Sequence, residues 1–117
     1  MMRFTNEKGV ITISNDVITY VAGAAAASCF GVKGMAVRSM TDGLVHLLRR
    51  EAMSKGVLVT ENDDETITID LHIMIDHGVN ISALGEAIIN EVRYVVTKTT
   101  GVEVRTVNVY VDSMTTD

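Results

Sequence analysis

The sequence contains no proline, no tryptophan and a single cysteine. Without proline there is no Pro-rich linker and no cis-Pro turn; without tryptophan one common interface anchor is missing. A lone cysteine cannot close an intramolecular disulfide, so a reducing, cytoplasmic setting fits better than a secreted one. Long hydrophobic runs are also missing. The start, Met1 to Lys8, has no apolar h-region, and the Ala-rich stretch Val17 to Val32 is interrupted by Thr19, Gly23 and Ser28. It is shorter than the ~20 residues of a spanning helix, which argues against direct membrane insertion. Basic charge is in deficit, with 10 Lys and Arg against 15 Asp and Glu, a net charge of -5. That balance disfavours DNA and anionic lipid as main partners, because both reward a basic face.

What is present is enough for one core. The chain has 117 residues, 47% of them hydrophobic, which predicts a single domain over 1–117. Val10 to Ile13 reads as a strand, and Ser14 or Asn15 offers an N-cap for a helix whose stripe is Val17, Ile18, Val21, Ala25 and Cys29. Small residues from Ala22 to Ala27 let that helix lie close to a sheet, and Gly31 is its expected terminator. A strand over Gly34 to Arg38 follows, then a short helix capped by Thr41 or Asp42 and running through Met53.

The clearest hairpin joins Val57–Thr60 to Thr66–Asp76 through Glu61-Asn62-Asp63-Asp64-Glu65. In its second strand Ile67, Ile69, Leu71, Ile73 and Ile75 alternate with Thr68, Asp70, His72 and Met74, the pattern of a sheet buried on one face. Asn80 or Ser82 caps a long helix with the stripe Ile81, Leu84, Ile88, Val92, Val95, Val96 and Thr99; Gly101 ends it before a last strand, Glu103 to Val111. The order is β-α-β-(short α)-β-β-α-β. It predicts an α+β two-layer sandwich, one mainly antiparallel sheet with two main helices on one face.

Candidate chemistry is sparse. Asp70, His72, Asp76 and His77 share a strand face or its end, and imidazole with carboxylate suits zinc or manganese. No second cluster supplies further ligands at recognisable spacing, so the reading is a solvated or protein-facing sheet surface and no metal or other cofactor is assigned. Cys29 falls on the apolar stripe, where a thiol behaves as a small hydrophobe. There is no Gly-x-Ser-x-Gly elbow. Gly31-Val32-Lys33-Gly34 has the Gly-x-x-Gly form that KH domains use on RNA, but that loop must join two helices and here a strand is expected next.

Charge is unevenly spread. Residues 31–55 carry five basic and two acidic side chains, whereas 56–76 carry six acidic ones and no Lys or Arg. Leu44, Val45, Leu47 and Leu48 either cover an end of the core or form an apolar patch rimmed by Arg38, Arg49 and Arg50. On the second reading Arg38, Leu44, Leu47, Arg49 and Arg50 are the candidate partner-binding residues, and the opposite blocks can drive self-association.

Gly9-Val10-Ile11-Thr12-Ile13-Ser14-Asn15-Asp16-Val17-Ile18, followed by an Ala-rich helix, resembles the opening of the alkaline shock protein family. These are also called envelope stress response proteins of Gram-positive bacteria. The likeness strengthens at Gly78-Val79-Asn80-Ile81, Thr100-Gly101-Val102-Glu103-Val104 and Val107-Asn108-Val109-Tyr110-Val111. It covers about residues 7–114, and the length is that of the short members. Ser82 stands where the family often has proline, and Asp76-His77 replaces a more usual Glu-Tyr.

The resemblance implies a small cytoplasmic α+β protein with no catalytic motif to carry over. Its implied role is in envelope homeostasis, in some members beside a membrane-anchored partner. The expectation is therefore a non-enzymatic interaction or scaffold protein, held near the membrane through a partner. The alternative is an accessory or regulatory subunit of a dihydroxyacetone-kinase-like protein, which the short members often accompany. RNA binding through Gly31 to Gly34 ranks third.

Overall fold

A computed structural model describes residues 2–35 and 56–115. Its elements are β1 (Met2–Asn6), β2 (Gly9–Ile13), α1 (Asn15–Ala27), β3 (Val32–Met35), β4 (Val57–Glu61), β5 (Ile67–Ile75), α2 (Ile81–Thr100) and β6 (Val104–Met114). The short helix expected through Met53 lies outside the described residues.

β5 organises the sheet. Ile67, Ile69, Leu71, Ile73 and Ile75 are each 0% exposed, and full burial of such side chains stabilises by roughly 1.5–3 kcal/mol apiece. β3 pairs antiparallel with the end of β5 and β4 antiparallel with its start. β6 runs parallel to β5 along its whole length. A strand has two edges, so β3 and β4 share one edge of β5 and β6 takes the other. Parallel pairing requires a crossover connection, which α2 supplies.

α2 carries the expected stripe: Leu84, Ile88, Val92 and Val96 are buried. The Asn80 side chain accepts from the Ala83 N–H at 3.0 Å, and Gly101 closes the helix at φ 76°. Glycine enters that left-handed conformation without the Cβ penalty other residues meet. α1 is capped by Ser14, whose hydroxyl accepts from Asp16 N–H at 3.1 Å. Its buried side is Ile18, Ala22, Gly23, Ala25 and Ala26, and it packs on α2 and on the sheet. Small side chains permit that close approach, so the stripe turns away from the expected Val17, which is exposed.

Four expectations are corrected. The first strand does not join a single sheet: β2 pairs with β1, which alternation in the first residues had not revealed, as a separate two-stranded sheet. The Asn6 side chain closes its turn by accepting from Lys8 and Gly9 N–H. Both edges of β5 are already taken, so β2 finds its partner locally. The second strand starts at Val32 rather than Gly34, and the last extends to Met114 rather than Val111. Finally, α1 stops at Ala27, ahead of Gly31, because Ser28 Oγ donates back to Ala25 O at 2.7 Å and the chain then turns.

Candidate functional site

Both helices lie on the apolar side of the four-stranded sheet, and among the described residues no element covers the other side. That open face is built by the alternate residues of β5, namely Thr68, Asp70, His72 and Met74, which are half-buried only because strands flank them. Register sets Leu58 and Asn108 beside Asp70, Thr60 and Thr106 beside Thr68, and Tyr110 beside His72.

The polar side chains are pinned to one another. Asn108 Nδ2 donates to Asp70 Oδ1 at 2.8 Å. His72 Nδ1 lies 3.0 Å from Asp112 Oδ2; a carboxylate only accepts, so Nδ1 carries the hydrogen. The Tyr110 ring stacks on His72 with centroids 4.8 Å apart. At the sheet's ends Lys33 pairs with Asp76 at 3.4 Å, and Asn62 Nδ2 donates to Thr68 Oγ1 at 3.1 Å.

This arrangement holds the base-and-orienter half of a nucleophilic site, a histidine steadied by a carboxylate. The chain's one thiol is elsewhere. Cys29 sits at the end of α1, donates to Ala25 O at 3.6 Å, and has its pKa pushed up by burial and, secondarily, by the charge of Glu91. Both effects disfavour the thiolate. Among the described residues no three His, Cys, Asp or Glu side chains come together as a metal site would require; Asp70 and His72 each have a separate partner on β6.

The acidic turn 61–65 is internally bonded. Asp64 accepts from the Thr66 hydroxyl and from its N–H, and Arg105 stands 3.9 Å away. The Thr66 hydroxyl bond is the main reason its carboxyl titrates below the usual range; desolvation opposes this, and the Thr66 amide and Arg105 reinforce it.

Of the residues singled out in the sequence, Arg38, Leu44, Leu47, Arg49 and Arg50 lie outside the described residues. The Gly31 to Gly34 tetrad is a turn entering a strand: Gly31 has φ 102°, its carbonyl accepts from Asp76 N–H at 2.9 Å, and Lys33 is in β3. Sequence reasoning missed Phe30, which is 95% exposed beside a shallow groove formed with Val79, Ala83 and Ala87. Its signal was a large aromatic immediately before the turn glycine.

A family model described as the alkaline shock protein 23 family, of cell envelope-related function, matches residues 3–116. The chain belongs to that family. The uncharacterised protein YloU of Bacillus subtilis strain 168 is 42% identical over 107 residues, 91% of this chain and 88% of that protein. The uncharacterised Spy1614 of Streptococcus pyogenes serotype M6 is 35% identical over 114 residues, 97% and 93% respectively. YqhY of Bacillus subtilis, also uncharacterised, is 29% identical over 103 residues. No solved structure matches at a significant level. No described helix is long and apolar enough to cross a membrane.

Proposed function

We propose that this alkaline shock family member is a non-catalytic interaction protein of the cytoplasm, serving the cell envelope by binding other proteins. The supporting observation is the uncovered sheet face, whose side chains are already fixed by Asn108–Asp70 and by the His72–Asp112–Tyr110 cluster. A surface ordered in advance loses little entropy on docking. Tyr110 and the exposed Leu58 give it apolar contact area, and the carboxylates give it polarity. A second contact region, Arg38, Leu44, Leu47, Arg49 and Arg50, completes the proposal, with membrane proximity coming from the partner.

The test is quantitative cross-linking and affinity capture from the native cell under envelope stress. Wild type is compared with His72→Ala/Tyr110→Ala and with Arg49→Glu/Arg50→Glu. A defined partner captured by wild type and lost with either pair supports the reading and identifies the contact region. An unchanged set of captured proteins with both variants removes it. If the partner is a dihydroxyacetone-kinase-like enzyme whose turnover changes on adding the chain, the regulatory-subunit role replaces the general scaffold.

A further inference from the structure

β6 forms one margin of the four-stranded sheet, and among the described residues no strand pairs with its outer edge. Register irregularities between Ile67/Thr68 and Ile73/Met74 bracket a regular stretch, Thr106 to Val111 against Thr68 to Ile73. That stretch reads Thr-Val-Asn-Val-Tyr-Val: uncharged, free of proline, and rich in β-branched and aromatic residues. Such a hexapeptide on an open edge pairs readily with another strand. Folded proteins usually blunt an edge with a charge, a proline or a bulge. Here the charges, Arg105 and Asp112, and the bulges stand only at the ends. Tyr110 and Val111 are exposed within it.

We propose that this edge pairs antiparallel with β6 of a second copy of the chain, closing a two-fold dimer. The flanking charges select that occupant and that direction. A register centred on Val109 keeps like faces together, setting Val107 opposite Val111 and Asn108 opposite Tyr110 of the other copy. It also brings Arg105 of each copy within one position of Asp112 of the other. Parallel pairing would set like charge against like, which is unfavourable.

α2 repeats the pattern. Arg93 Nη2 donates to Arg105 O at 3.2 Å, so Arg93 leans over the start of β6. Glu86 lies seven residues earlier, about two helical turns, on the same side. α2 thus carries opposite charges along the side that reaches the start of β6. A surface that complements itself in this reciprocal way is the mark of an isologous interface. The edge is distinct from the open face, so both can be occupied together.

Sedimentation velocity on the full chain across a concentration series tests this, with Arg105→Asp, Asp112→Arg and the double exchange as variants. Each single variant is expected to weaken dimerisation at least ~10-fold, and the double exchange to restore it. Circular dichroism checks that each variant folds. Hydrogen exchange on the unmodified chain gives a second reading: amides within 106–111 should exchange more slowly at high than at low protein concentration. A wild type that stays monomeric, single variants that associate as wild type does, a double exchange without recovery, or concentration-independent exchange overturns the proposal. The wild-type concentration series, Arg105→Asp and hydrogen exchange leave the His72 cluster intact and so do not bear on partner capture by His72 and Tyr110, whereas Asp112→Arg also removes the carboxylate that holds His72.

Discussion

Tyr110 lies nearly parallel to His72, at 15° and 4.8 Å between ring centroids, on the strand beside it. The register places the two directly opposite, and the irregularity after Val111 inserts Asp112, whose carboxylate lies 3.0 Å from Nδ1 of the same imidazole. One histidine is thus held by an aromatic face and an anion at once. Cross-strand aromatic pairs contribute on the order of 0.5–1 kcal/mol. Tyr110→Ala should therefore lower unfolding free energy in urea by about that much, with an unchanged far-UV spectrum. A loss above about 3 kcal/mol, the size of a core truncation, would mean that the ring is part of the core rather than of an outer surface.

Asp64 makes the acidic turn sensitive to acid. Its folded carboxyl is held below its unfolded value, chiefly by the Thr66 hydroxyl. A depressed carboxyl contributes stability above its unfolded pKa and loses it as pH falls through the folded one. The contribution is therefore complete at neutral pH and disappears in the acid limb. Carbon-detected titration should find Asp64 among the lowest-titrating carboxyls of the turn, and Thr66→Val should move it upward. No movement in Thr66→Val would show that the hydroxyl bond is not the cause.

The same turn contains Glu65 at φ 65°, the one described non-glycine residue with positive φ. Left-handed backbone costs an L-residue roughly 1–2 kcal/mol, which glycine avoids at some expense in unfolded-state entropy. Glu65→Gly is expected to leave stability equal or raise it by up to about 1 kcal/mol in urea unfolding. A clear destabilisation would place the value of this position in the carboxylate rather than in the backbone.

Local pattern made most of the fold legible. Five residues of β5 at period two, and the α2 stripe ended by Gly101, state their burial directly. Their elements form where propensity, cap and pattern agree. α1 was harder, because a run of alanines has no preferred apolar side until a neighbour selects one. Packing on α2 chose Ala22 and Ala26 over Val17. β1 was illegible because its partner, β2, lies across a two-residue turn and outside the main sheet. The open face was readable as a polar alternation, but its pairs were not: Asp70 with Asn108 and His72 with Asp112 each span about forty positions, and only the parallel register joins them.

Cys29 offers a chemical check on the helix layer. Burial first, and the charge of Glu91 second, raise its thiol pKa, so the reactive thiolate is scarce at neutral pH. Alkylation in the folded chain should be several-fold slower than in urea, and Glu91→Gln should speed it modestly. Equal rates folded and unfolded would mean that the thiol is open to solvent.

Gly31 tests whether the tetrad Gly31-Val32-Lys33-Gly34 is structural. At Gly31 the backbone has φ 102°, and an added Cβ would stand 3.1 Å from Val79 Cγ1 and 3.4 Å from Leu84 Cδ2. At Gly34 an added Cβ would meet nothing within 4 Å. Gly31→Ala therefore combines backbone strain with crowding against the start of α2, and should cost about 1–3 kcal/mol. Gly34→Ala should stay within about 1 kcal/mol of wild type, since the substitution also reduces the freedom of the unfolded chain. The asymmetry is the diagnostic result, because a backbone-clamping loop would need closeness to its ligand at both glycines, whereas a helix-to-strand turn needs it at the first. Urea unfolding of the two variants decides: equal losses would contradict the turn reading, and a loss at Gly31 alone supports it.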